Sequence, residues 1–128
     1  MANRDLTSNI GVVTAIAPGV VTTGSHAGVV IDTRGFDSVA FAVAAGTVTD
    51  GTHTPALLSS SDGTLFAPVV APNLQGTLAA VASNTVQRVG YVGNDRYLRL
   101  DVVSAGATAG AALAASAILG NPAIKPVA

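Results

Sequence analysis

The chain contains no glutamate and a single lysine, Lys125, and all seven of its acids are aspartate. Glutamate and lysine are the charged residues that fill the solvent faces of helices, so a helical fold is disfavoured from the outset. Valine and threonine are abundant instead. Both are β-branched and stiff at χ1, and they recur in short runs divided by Gly, Pro, Asn and Asp, which is the pattern of short strands joined by turns. The expected fold class is all-β.

The clearest strand covers residues 38–44, where Val39, Phe41 and Val43 alternate with Ser38, Ala40, Ala42 and Ala44 and so place one strongly apolar set on a single face. Residues 97–103 read the same way, with Leu98, Leu100 and Val102 inward and Arg99 and Asp101 outward. Asn94-Asp95 is a plausible turn from a strand at 87–92, and the two strands are expected to form a hairpin. Further strands are expected at 12–17, 28–32, 55–60 and 65–70. Turns are expected at Pro18-Gly19, Arg34-Gly35, Asp50-Gly51 and Asp62-Gly63, the last as a tight hairpin. Residues 109–119 are rich enough in alanine to be helical on propensity, and are read as a strand whose small side chains let a second sheet or chain approach closely. About eight antiparallel strands at this spacing imply a sandwich, jelly roll or barrel. With 128 residues the chain suits one domain: a core over about 11–120, with extended arms at 1–10 and 121–128.

Charged residues make up 10% of the chain, against about 25% in ordinary soluble domains. Six basic and seven acidic side chains leave most of the exterior to Ala, Val, Thr, Ser and Gly. Such a surface is best tolerated where much of it is covered by neighbours; the plainer possibility is an Ala- and Gly-rich monomer with Thr and Ser facing water. A formal net charge of −1 with scattered basic residues does not suit a run of phosphates, so no nucleic-acid partner is expected. Without cysteine, disulfides and thiolate metal sites are excluded. The polar start, with Arg4 and Asp5, lacks the pattern of a secretory signal, and the uncharged stretch 104–120 is too short and too rich in Gly, Ala and Ser for a spanning helix. The chain is therefore read as soluble, with no membrane partner, and made in the cytoplasm.

Catalytic groupings are sparse. His26 and His53 each read as sitting in a Gly/Thr/Ser-rich turn without an acidic cluster beside them, which suits a loop or interface hydrogen bond better than a metal site assembled with Asp32, Asp50 or Asp62. No G-x-S-x-G elbow or phosphate-binding glycine loop occurs, and the aspartates are explained as turn formers. Only Tyr91 or Tyr97 could serve as a carbohydrate platform, and both read better as amphipathic residues at a sheet edge or interface. The expectation is no enzyme, no cofactor and no metal.

Several strings occur in a characteristic order: Gly35-Phe36-Asp37-Ser38-Val39-Ala40-Phe41, Asp50-Gly51-Thr52-His53-Thr54, Ser61-Asp62-Gly63, Val89-Gly90-Tyr91-Val92-Gly93, Arg96-Tyr97-Leu98-Arg99 and Ile118-Leu119-Gly120-Asn121-Pro122. In that order, over roughly residues 28–126, the chain resembles the capsid cement, or decoration, proteins of tailed bacteriophages. The resemblance implies a jelly-roll-like sandwich that binds the outside of an assembled capsid as a homodimer or homotrimer. It would there bridge neighbouring subunits of the major capsid protein. The implied location is the capsid exterior of the virion, after synthesis in the host cytoplasm, and no catalytic residues come with it. Candidate contact residues are Arg4, Asp5, Ile124 and Lys125 in the arms, with Arg96, Arg99 and Asp101 as rim charges; the plain alternative for the last three is a solvated strand face. Rival readings are a host-surface or carbohydrate-binding module of the virion, a tail or connector structural protein, and a small enzyme.

Overall fold

A computed structural model describes residues 5–122. After a 3-10 turn at Thr7–Asn9 come ten strands: β1 (Gly11–Val21), β2 (Gly24–His26), β3 (Ile31–Asp32), β4 (Phe36–Val48), β5 (Thr52–Ser60), β6 (Ala67–Pro68), β7 (Leu74–Gln75), β8 (Val86–Tyr91), β9 (Tyr97–Ala105) and β10 (Ala111–Pro122). They form two antiparallel sheets. The first has the order β1-β10-β4-β8-β7, and the second β2-β9-β5-β6, with β3 also paired to β9. The all-β sandwich expected from the sequence is present, with ten strands in place of eight because β2, β3, β6 and β7 are fragments of two or three residues.

The two inner faces carry the alternating apolar sets. Val39, Phe41, Val43 and Ala45 of β4 and Leu98, Leu100 and Val102 of β9 are buried, and residues on alternate sides of a strand must face opposite ways. Strand β10 settles the ambiguity of the Ala-rich stretch. Ala111, Leu113, Ala115, Ala117 and Leu119 are buried while the residues between them are only half-buried, a period of two set by pairing on both sides to β1 and β4. Tertiary pairing overrides the helical propensity of alanine here. The strand extends through Pro122, opposite Phe36, so the first two residues of the expected C-terminal arm belong to the sheet.

The expected hairpin between residues 87–92 and 97–103 does not form. Strand β8 lies in the first sheet and β9 in the second, so Asn94-Asp95 lies in a crossing between sheets. The Tyr91 hydroxyl accepts the Asp95 N–H at 3.0 Å, and the Ser59 hydroxyl of the second sheet donates to the Asp95 carboxylate at 2.7 Å. Pro18-Gly19 is likewise not a turn. It lies inside β1 at a bulge, where the pairing with β10 slips between Ile16 and Gly19, and an edge strand tolerates the missing proline N–H. The Asp62-Gly63 turn does link paired strands, β5 and β6, through a six-residue connection wider than a tight hairpin. The strands expected at 28–32 and 65–70 shrink to two residues each.

Candidate interaction face

The exterior of the first sheet is set by the residues that alternate with its core positions. Cross-strand register aligns Val12, Ile118, Ala40, Gly90 and Gln75 in one row and Thr14, Ser116, Ala42 and Arg88 in the next. Ala114, Ala44 and Val86 follow, then Val20 opposite Ala112. Across these rows Arg88 is the single charged side chain. Val12, Val20 and Val86 are exposed at 60%, 65% and 72%, so most of each side chain stands in water. Two hollows indent the face. One of about 250 Å³ lies beside the bulge, between Pro18-Gly19, Ala44 to Gly46 and Ala112 to Ala114; the other, of about 290 Å³, lies between Ala40, Gln75, Gly76 and Arg88. Small side chains on neighbouring strands make this relief, and it suits a partner surface that can approach the backbone closely.

The second sheet presents a different exterior. Arg99 and Asp101, expected to point outward, do so, and they pair with each other at 2.8 and 2.9 Å. Asp101 also accepts the Gly28 N–H at 3.2 Å, and Arg99 lies 4.7 Å above the centre of the Phe66 ring. Arg96 belongs to the rim between sheets, in a two-pronged bond to Asp32 at 2.7 and 2.6 Å, and stacks on the Tyr97 ring at 4.9 Å. That guanidinium holds the Asp32 carboxyl down at about 2. Asp5 fastens the N-terminal turn by accepting the Ser8 N–H at 3.0 Å, which lowers its pKa. The structure therefore disperses the candidate contact residues over a turn, a rim and the outside of the second sheet. Arg4, Ile124 and Lys125 lie outside the described residues.

His53 departs furthest from its reading as a turn residue. It stands in β5 and is fully buried, with Nδ1 2.7 Å from the Ser104 hydroxyl oxygen and Nε2 3.0 Å from the Asp50 carbonyl oxygen. Serine, histidine and aspartate thus meet in space, but the Asp50 carboxylate turns away. It accepts the N–H groups of Gly110, Thr108 and Ala109 at 2.7, 3.1 and 3.3 Å, which lowers its pKa. Ser104 is 4% exposed, so its hydroxyl is walled off from a substrate, and the trio braces the end of the sandwich. His26 is separate, with Nε2 2.6 Å from the Thr22 carbonyl oxygen. Asp62 accepts the Thr64 and Leu65 N–H groups, which hold its carboxyl at about 2. Among the described residues no group of three or more His, Cys, Asp or Glu converges as a metal site, and no helix is long and apolar enough to cross a membrane.

The sequence singled out the charges and, of this face, only the small side chains of residues 109–119. Its signal was the complementary half of the alternation in 38–44, namely Ala40, Ala42 and Ala44, repeated in Ala112, Ala114 and Ser116. No protein-family model matches the chain, and no curated protein matches it.

Proposed function

We propose that this chain is a structural protein of a tailed-bacteriophage virion, a non-enzymatic capsid cement protein that binds the outer surface of the capsid and bridges major capsid protein subunits. The observation that carries the reading is the exterior of the first sheet, four rows of mostly small and aliphatic side chains with one arginine and one glutamine among them. A face of this kind is costly to leave in water and gains by contact. The jelly-roll description belongs to the same reading. Counting β2 with β3 and β7 with β8, the chain changes sheet at every connection except β5 to β6, and the strand orders β1-β10-β4-β8 and β2-β9-β5-β6 support that description.

In this role the face seats against the shell or a second copy, and loops at the rim reach the neighbouring subunit. A ligand that binds only the assembled shell stabilises it by mass action, by roughly 3–4 kcal/mol per site at a hundred- to thousandfold excess over Kd. Repetition over many sites turns modest contacts into resistance to internal pressure. The test compares heat and chelator resistance of particles made with and without the chain, and images the shell. Greater durability, with ordered density on the exterior and the first sheet facing a neighbour, is the expected result; equal durability with no such density refutes the reading.

A further inference from the structure

We propose a second binding site, for a small neutral polyhydroxylated ligand of monosaccharide size, in the groove at the rim of the sandwich between Phe36 and Arg96. The groove has a volume of about 330 Å³, within the range of small-molecule sites. Its floor is the end of β8 and the start of β4, and its wall is the crossing 92–96.

Its frame is fixed from several directions. The Thr33 N–H and hydroxyl both donate to the Arg96 carbonyl oxygen, at 3.0 and 2.7 Å. Asp32 clamps the Arg96 guanidinium, Tyr91 and Ser59 hold Asp95, and the Asn121 amide donates to the Ser38 hydroxyl at 2.5 Å. These bonds hold the site in place before any ligand arrives, which lowers the ordering cost of binding.

What the frame leaves unused defines the ligand. Asp37 and Asn94 are exposed on the groove, and neither side chain makes a hydrogen bond or ion pair with the described residues. Asp95 has a second carboxylate oxygen, and Arg96 has N–H groups at Nη1 that Asp32 does not take. Carboxylate acceptors thus stand beside amide and guanidinium donors, the combination that matches hydroxyls, each of which donates and accepts. Phe36, half-buried in the lining, adds an apolar wall for the C–H face of a sugar, a role the sequence suggested only for Tyr91 or Tyr97. An anion is disfavoured, because two aspartates face the groove and its one arginine is already paired.

Titration of the full-length, 15N-labelled chain with galactose, mannose and N-acetylglucosamine in turn tests this, with choline and inorganic phosphate as parallel probes. The expected result is saturable shifts confined to residues 33–38 and 93–96 for at least one sugar, with Kd on the order of 1 mM. Asp37→Ala and Asn94→Ala should each weaken that binding about tenfold while the remaining resonances stay in place, since neither side chain braces the fold. Absence of a saturable shift with every sugar, insensitivity to both substitutions, or binding of choline or phosphate alone would overturn the proposal. None of these outcomes depends on whether the chain binds a capsid.

Discussion

His53 and Ser104 face each other across β5 and β9, inside the sandwich, with 2.7 Å between imidazole Nδ1 and hydroxyl oxygen. The Asp50 carbonyl can only accept, so Nε2 donates to it, and in the tautomer that carries its one proton there Nδ1 accepts from the serine. Ser104→Ala removes that donor and leaves a buried nitrogen without a partner, at a cost of ~1–3 kcal/mol. His53→Leu strands the serine hydroxyl and the Asp50 carbonyl in the same way. The double variant should cost less than the two single costs added together, because it removes both ends of one bond. Urea unfolding of the four proteins measures this, and additivity within ~0.5 kcal/mol would show that the bond contributes nothing of its own.

Gly28 marks a close approach of backbone to backbone. A carbon added there would lie 2.1 Å from the Leu100 carbonyl oxygen and 2.6 Å from that of Ala15, and neither can move without disturbing β9 or β1. Gly28→Ala should therefore destabilise the domain by ~3 kcal/mol or more, at the upper end of overpacking costs. Gly19→Ala is the control. Nothing lies within 4 Å of the added carbon, so its effect should stay within ~0.5 kcal/mol. Equal thermal midpoints for the two variants would mean that the path of residues 27–30 over the sheets is wrong.

Much of this architecture is legible in the sequence, and the reason is specific. Strands β4 and β9 declare themselves because Val39, Phe41, Val43 and Leu98, Leu100, Val102 fix which face is inside. The partner of a strand is not encoded that way. Residues 87–92 and 97–103 look like a hairpin locally, and only tertiary pairing puts them in different sheets, with the Asp95 N–H donating to the Tyr91 hydroxyl and its carboxylate accepting from Ser59, 36 positions away, in the crossing. His53 was misread because Gly51, Thr52 and Thr54 give it the look of a turn, whereas pairing with Ser104 places it in the core. The candidate face was hidden because alanine, glycine and serine carry no distinctive chemistry one at a time; register gathers them into rows.

Acid should weaken the fold over a defined window. The Arg96 guanidinium lowers Asp32 to about 2, and the Thr64 and Leu65 amides lower Asp62 to about 2; amides at 108–110 also lower Asp50. Each folded value lies below the ordinary carboxylate value of 3.8, so the native chain holds fewer protons than the unfolded one at intermediate pH. The resulting stability is fully present above about pH 4 and is lost as pH falls through about 2. Urea midpoints should hold from about pH 7 to about pH 4 as far as these groups are concerned, then drop. Asp62→Asn should make that drop shallower, and added salt should blunt the Asp32 share because the ion pair is exposed. A variant whose midpoint falls as steeply as the parent's would remove Asp62 from this account.

The outer face of the first sheet yields the test that separates fold from attachment. Ala44 is exposed there, between Ala114 and Val86, and a lysine at 44 can extend into solvent in the free protein, so Ala44→Lys should change stability by no more than ~0.5 kcal/mol. Against a partner surface the same ammonium must lose its water without a carboxylate from its own face to meet it, because Arg88 is the only other charge in these rows. Co-sedimentation with capsids should then fall at least about tenfold. Thr54→Lys places the same charge on the exterior of the second sheet, opposite Val103, and should leave co-sedimentation intact. If Thr54→Lys abolishes it and Ala44→Lys does not, the docking face is the sheet that carries the Arg99–Asp101 pair, and the low charge of the first sheet needs another explanation.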